Sequence, residues 1–373
     1  MAQRLKDLFA EDVPGRIADM IKRVDPDFDR TAFETAALDG FGPLDLTDRA
    51  RHIAAAMATY LPANRREAID ILIASLGPAR DTEDLEGMEA FLYLPHVYFV
   101  AQHGLECFET AMNAQYELTR RFTAEFSIRV FLEEDTSATL ERLNQWAEDP
   151  DPHVRRLVSE GTRPRLPWAP RLRRFIDDPT PVIQLLDKLA NDSSPYVRRS
   201  VANNLNDISK DHPDLAMATA KRWQASDPPA PRFVLAHGLR SLVKQGHAGA
   251  LEVLGFTHGS PARIEFGCDP QNVEIGGRVR IEVSVDNPTE TPISVLVDLV
   301  VHFVKANGST TPKVFNGAET LLEPGAMATI RKSISLAVHT TRTPYPGTHL
   351  VDVMVNGEPR PGGCFEVLAP REP

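Results

Sequence analysis

A helix-length string built on a double arginine recurs along the middle of this chain, and nothing else in the sequence constrains the fold as much. T-R-R-F-T-A-E-F (Thr119 to Phe126) aligns with V-R-R-L-V-S-E-G (Val154 to Gly161) at an offset of 35 residues. V-R-R-S-V-A-N-N (Val197 to Asn204) follows after a further 43, and the weaker P-R-F-V-L-A-H-G (Pro231 to Gly238) after a further 34. Helical periods of this size mark helix pairs that cannot bury their apolar faces alone and stack into a solenoid. Thr139 to Ala147 and Val182 to Ala190 read as the outer helices. Asp149-Pro150-Asp151-Pro152 and Asp192-Ser193-Ser194-Pro195 read as the turns within a pair. In both turns a proline opens the inner helix, where its missing N–H does no harm.

The repeats are flanked by two regions of different grammar. Residues 1 to about 116 read as helical, with 3.6-residue spacing at Leu5, Leu8 and Phe9 and again at Ile17, Met20 and Ile21. Pro26, within Asp25 to Asp29, breaks the first unit. A second helix reads Ala50 to Tyr60, and Asn64 caps a third that Gly77-Pro78 ends. Tyr93 to Phe99 reads as buried packing, and Cys107 as a small core residue. Beyond Phe256 the period becomes two. Seven strands are expected, at Ala262 to Phe266, Arg278 to Asp286, Ser294 to Lys305, Lys313 to Leu321, Met327 to Leu336, Gly347 to Val355 and Gly363 to Leu368. Turn pairs such as Gly276-Gly277, Asn307-Gly308 and Asn356-Gly357 separate them, which describes a β-sandwich of Ig-like or fibronectin-like kind. No tryptophan stands between Cys268 and Cys364, so an antibody-type disulfide is not expected. The expected organisation is a helical solenoid over 1–256, a linker over 257–261 and a sandwich over 262–373.

Composition excludes several classes. Hydrophobic residues make up 42% and charged residues 25%, as in ordinary globular proteins. No apolar run approaches the roughly 20 residues of a membrane span. The N-terminus carries no signal-peptide core. The three cysteines have no metal or disulfide spacing, which fits a reducing cytoplasm. The net charge of −11 argues against nucleic acid when taken alone. Its distribution does not: seven arginines and one acidic residue lie between Pro152 and Arg174. Local fields decide whether a phosphate backbone is attracted.

In the repeat register one slot reads Glu125, Glu160, Asn203, His237, a polar row along one wall if the helices stack in parallel. For the glutamates, an ordinary i,i+4 ion pair with Arg121 or Arg156 competes with a lined groove; such a pair is worth only a few tenths of a kcal/mol. Asn203 cannot form that pair, which favours the groove. Asp207, one turn beyond Asn203, points to the same side or caps the helix end. Trp168, after Pro167, is either a core plug or an exposed plate among Arg163, Arg165, Arg171, Arg173 and Arg174. Arginine beside an aromatic surface suits nucleic acid held by backbone contact and stacking. Trp146 and Trp223 read as core. There is no Gly-rich phosphate loop, no Cys/His metal cluster and no G-x-S-x-G. No lysine lies near the glutamates in sequence to form a Schiff base.

The strings T-R-R-F-T-A-E-F-S-I-R, S-E-G-T-R-P-R-L-P-W and D-x-S-P-Y-V-R-R-S-V-A-N-N-L-N-D resemble the DNA alkylation repair glycosylases built on HEAT-like repeats. The trailing sandwich is similar to that of the AlkC branch rather than the AlkD branch. The resemblance implies a mainly α fold, a HEAT-like solenoid followed by an Ig-like sandwich. It implies hydrolysis of the N-glycosidic bond of cationic alkylated bases, N3-methyladenine and N3-methylcytosine, in bent duplex DNA. Catalytic carboxylates would then be Glu125, Glu160 and Asp207, and Trp168 would press on the lesion nucleotide. Arg156, Arg163, Arg165, Phe126, Arg129, Asn203, Arg199 and Arg342 are expected at the DNA, the last with His339 to Arg342 of the sandwich. A monomer without metal or cofactor is expected, acting on alkylated double-stranded DNA in a bacterial cytoplasm. The rival reading is a non-catalytic HEAT-like scaffold that binds DNA or protein.

Overall fold

In the computed structural model of the chain, residues 9–80, 82, 89–338 and 342–369 are described. Tight contacts divide the protein into two units. The first runs to His212 and includes Ala225–Gly238; the second comprises Pro213–Gln224 and the chain from Leu239 onward.

The first unit is a succession of short helices whose ends are written in the sequence. It begins with α1 (Asp12–Lys22), which buries Ile17, Met20 and Ile21 as the spacing requires. Leu5 and Leu8 lie outside the described residues. After the Pro26 break comes α2 (Arg30–Leu38), which was not anticipated; Asp29 caps it by accepting from the Ala32 N–H. Next are α3 (Leu46–Tyr60), four residues longer than expected at its start, and α4 (Arg65–Ser75). Asn64 caps α4 by accepting from the N–H groups of Arg66 and Glu67. Then α5 (Leu94–His103) buries Val97, Tyr98 and Phe99, and α6 (Phe108–Thr119) follows the buried Cys107.

The repeats occupy α7 (Glu125–Glu134), α8 (Thr136–Trp146), α9 (Pro152–Gly161), α10 (Arg173–Asp177), α11 (Thr180–Leu189), α12 (Pro195–Ile208) and α14 (Arg232–Gly238), with α13 (Pro213–Gln224) in the second unit. Pro152 and Pro195 open α9 and α12, each behind a capping side chain, Asp151 and Ser194. The inner helices α3, α5, α7, α9, α12 and α14 pack each on the next, and the outer pair α8 and α11 do likewise. This is the expected solenoid, with one correction. Thr119 to Phe126 is not a helix: Thr119 ends α6 and Glu125 starts α7. Thr123 Oγ1 accepts from the Glu125 N–H at 3.2 Å, and Arg121 turns away to Glu117 and the Gly77 carbonyl. A threonine hydroxyl that bonds a nearby backbone N–H favours a helix start over a helix interior, so the chain begins a new helix there. The Arg121–Glu125 helix pair therefore does not exist.

The second unit holds α13, α15 (Arg240–Lys244), α16 (Ala248–Val253) and eight strands. The strands are β1 (Arg263–Asp269), β2 (Asn272–Glu274), β3 (Arg278–Asp286), β4 (Ile293–Val304), β5 (Thr310–Leu322), β6 (Met327–Ser335), β7 (Gly347–Val355) and β8 (Glu358–Leu368). They form two sheets, β1-β3-β6 and β2-β8-β7-β4-β5. Alternation places Val279, Ile281, Val283 and Val285 of β3 against Val297, Leu299, Val353 and Phe365 of the other sheet. Seven strands matched expectation in place. The extra β2, three residues paired parallel to β8, is too short to display a period. Contact grouping puts α13, α15 and α16 with the strands, so residue 256 falls inside this unit. Residues 257–262 are tied down: Asn356 donates to the Thr257 carbonyl at 2.9 Å, and Arg360 donates to the carbonyls of Ser260 and Ala262. Gly246 and Gly357 touch backbone to backbone, both at positive φ, and a Cβ on Gly246 would stand 2.4 Å from the Gly357 oxygen.

Candidate active site

The two arginines of each doublet do different work. The first braces the turns within the helix pairs. Arg120 donates to Asp151 at 2.9 Å, Arg155 grips Asp192 with two bonds of 2.6 and 2.9 Å, and Arg198 donates to the carbonyls of Asp192 and Ser193. In the later two doublets the second arginine faces the inner wall, whereas Arg121 turns to Glu117 and the Gly77 carbonyl. Arg156 donates to Glu125 Oε2 at 2.5 Å and lies 3.5 Å from Glu160 Oε1, while Arg199 is exposed with its guanidinium 5.9 Å from the centre of the Phe233 ring. One arginine thus joins carboxylates from two repeats.

The chain of charges continues inward. Glu160 Oε1 accepts from Arg163 Nη1 at 2.7 Å, and Oε2 accepts from the Ser200 hydroxyl at 2.6 Å. Arg163 Nε donates at 2.8 Å to Asp207, whose other oxygen takes Lys210 Nζ at 2.9 Å. Thr123 Oγ1 donates to Glu125 at 2.9 Å and accepts from Arg156 at 3.0 Å. Glu160, Arg163 and Asp207 are buried, and Glu125 is half-buried at the start of α7. Burial alone would raise the Glu160 carboxyl. Arg156, Arg163 and the Ser200 bond outweigh it and hold the group below the usual carboxylate range. Burial would likewise pull Arg156 and Arg163 down, but their acidic neighbours push both above the ordinary guanidinium value. Glu160 is therefore an ionised acceptor and not a proton donor near neutral pH.

Beside this network stands Trp168, 62% exposed. Its φ of +63° is unusual for a bulky residue and costs of order 1 kcal/mol or more. The strain lifts the indole out of the loop that Leu166 anchors in the core. Trp168, Phe91, Phe122 and Phe126 close a cavity of about 340 Å3 whose polar side is Glu125, Arg156 and Glu160. The arrangement pairs two carboxylates with an apolar plate, a place for a flat group bearing developing positive charge.

The other expected residues divide by exposure. Phe126 stacks on Tyr98 at 6.4 Å in the cavity wall. Arg129 is buried and donates to the carbonyls of Gly161, Arg163 and Pro170; burial draws it down to about 10. Arg165 holds Asp211 with bonds of 2.9 and 2.6 Å. Asn203 meets His237 at 2.9 Å, joining the last two members of the polar row. Arg156, Arg163 and Arg129 thus stand behind the carboxylates as supports. In the sandwich, Arg342 donates to the Ser335 carbonyl and lies 4.6 Å from the Phe303 ring centre; His339 to Thr341 lie outside the described residues. Sequence reading missed Thr123, Ser200 and Lys210. Ser200 reaches Glu160 across 40 residues, and no local pattern announces such a bond. Among the described residues no three His, Cys, Asp or Glu are grouped to hold a metal ion, and no helix is long and apolar enough to cross a membrane.

Known proteins share both the fold and its order. The family model described as "DNA alkylation repair enzyme" matches residues 119–239, and "Uncharacterised protein YhaZ, C-terminal Ig-like domain" matches residues 263–369. The chain is 33% identical over 366 residues to "Uncharacterized protein YhaZ" of Bacillus subtilis (strain 168), covering 97% of this chain and 99% of that protein. It is similar, with a TM-score of 0.90 and 34% identity, to the solved Pseudomonas fluorescens alkylpurine DNA glycosylase AlkC bound to DNA containing an abasic site analog. That match covers 98% of this chain and 100% of the other.

Proposed function

The chain belongs to the AlkC-like family of DNA alkylation repair enzymes with a C-terminal Ig-like domain, and from that membership we propose that it is a monofunctional DNA glycosylase. Its substrates are cationic N3-alkylated bases, N3-methyladenine and N3-methylcytosine, in duplex DNA. The observation that carries this reading is the pair Glu125 and Glu160, joined through Arg156 and facing the cavity that Trp168 closes.

The chemistry asks for little more. An N3-alkylated base already bears positive charge and leaves without protonation, so a carboxyl held ionised, as Glu160 is, suits the task. As the glycosidic bond breaks, the sugar becomes oxocarbenium-like. Preorganised carboxylates stabilise that charge and can orient the attacking water. Glu125, nearer the surface, orients the water; Glu160, fixed by Arg163 and Ser200, supplies the field. Asp207 acts through Arg163, setting its position rather than touching the sugar. Trp168 stacks on the lesion nucleotide. Arg156 and Arg163 keep Glu160 ionised beside a polyanion, where repulsion would otherwise favour its protonation.

The test is base release from methylated duplex DNA by wild type, Glu125→Gln and Glu160→Gln, resolving N3-methyladenine, N3-methylcytosine and N7-methylguanine. Wild type should release the N3-methyl bases, and each variant should lose about 10²-fold or more in rate while still binding DNA. DNA binding without release by wild type would assign the rival role, a non-catalytic scaffold, and leave the glutamates as braces between repeats.

A further inference from the structure

Phe126 and Trp168 also line another cavity, of about 290 Å3, just below the roughly 300–1,000 Å3 found for small-ligand sites. Its wall is Tyr98 stacked on Phe126, with interplanar angle 19°, and the Arg51 guanidinium lies 4.9 Å from the centre of the Tyr98 ring. Gln102 and Arg171 are exposed at its mouth. Arg129 lines it from below, its Nε buried with no hydrogen-bond partner although its Nη groups hold three carbonyls. Against these three cations stand two carboxylates, Glu133 in the lining and Asp48, which Arg51 meets at 3.3 Å.

Aromatic walls, an amide and an excess of guanidinium over carboxylate describe a place for a flat heterocycle attached to phosphate. Base–aromatic stacking tolerates any sequence, because every base has a π-face, and arginine meets the backbone. The decisive feature is the shared wall. A ring inserted into a stack has one face for each neighbour, so two cavities that share Trp168 in their linings suit two consecutive nucleotides. We infer that the second cavity receives the nucleobase adjacent to the lesion on the same strand, with its phosphate at Arg51 and Arg171, so that Trp168 stands between lesion and neighbour. This rests on the glycosylase reading for the identity of the first nucleotide. It adds a second nucleotide subsite that recognises context by stacking and not by base identity.

Binding is measured with duplexes carrying a tetrahydrofuran lesion analogue, in which the base 5′ to it, 3′ to it, or opposite it is also removed. Removing one same-strand neighbour should weaken wild-type binding by about tenfold, the order of one stacking contact. Tyr98→Leu should bind the intact and neighbour-less duplexes equally. Gln102→Ala, at an exposed position, should narrow the difference without risk to the fold. Equal binding of all duplexes by wild type, or a loss only when the opposite base is removed, overturns the subsite. Base release from methylated duplex runs in parallel. Release without neighbour dependence refutes the subsite and leaves the glycosylase standing. Neighbour-dependent binding without release refutes the glycosylase and leaves the subsite as DNA-binding surface.

Discussion

Glu125 and Glu160 reach one guanidinium from different repeats, and that shared contact is what separates them from ordinary surface acids. Either alone would be read as half of a helix ion pair. Replacing Glu160 by Gln keeps the shape and removes the charge that Arg156 and Arg163 face, so the folded state should lose about 1–3 kcal/mol beside its activity. A second residue matters through what it lacks. His96 of α5 is buried, 1% exposed, with neither ring nitrogen hydrogen-bonded, and burial lowers it from 6.5 to about 4. Between those values the unfolded chain takes up a proton that the folded protein refuses, so stability falls as pH drops through that window. The loss should reach about 3 kcal/mol by pH 4. Denaturant titrations at pH 7 and pH 4.5 on wild type and His96→Phe test this: the variant should lose less between the two. An equal loss in both would show that His96 contributes nothing to acid sensitivity.

At the scale of the element, the site depends on how closely α9 approaches α7. Gly161, the last residue of α9, sits where a Cβ would stand 2.5 Å from Ile128 Cγ2. Its carbonyl also accepts from Arg129 at 3.1 Å. Gly161→Ala should push the two helices apart, destabilise by about 1–3 kcal/mol, and slow base release by spreading Glu125 and Glu160. Thermal melts and single-turnover kinetics would show both effects, and an unchanged Tm would mean that the contact relaxes freely. Elements were largely legible in the sequence, because caps and prolines act locally: Asn64, Asp151-Pro152 and Ser194-Pro195 each stand where a helix begins. The error at Thr119 to Phe126 has the same origin. Its repeat register is helical, but α6 stops at Thr119 and the Thr123 hydroxyl bonds the Glu125 N–H at the start of α7. β2 escaped notice because three residues carry no period.

In the whole molecule, the segment that reads as a linker is held by hydrogen bonds. Arg360 of β8 holds the carbonyls of Ser260 and Ala262, and Asn356 holds Thr257. Limited proteolysis should therefore spare 257–261 in wild type and cut there in Arg360→Ala, with cleavage followed by mass spectrometry; cutting at equal rates would show that these bonds do not restrain the segment. We propose the solenoid-to-sandwich boundary near residue 256 as the unit of sequence organisation, while in space α13, α15 and α16 keep company with the strands. The sequence by itself determined the two grammars, the repeat spacing, the strands and the acids of the polar row, because helix period, strand alternation and turn chemistry are set by neighbours a few residues apart. Tertiary structure alone decided which arginine serves which acid, that Ser200 and Asp207 reach Glu160 and Arg163 across 40 and 44 residues respectively, and that Trp168 stands exposed in the lining of two cavities. Those outcomes depend on distances between helices, and a helix's own sequence specifies its face but not the depth at which its neighbour will settle.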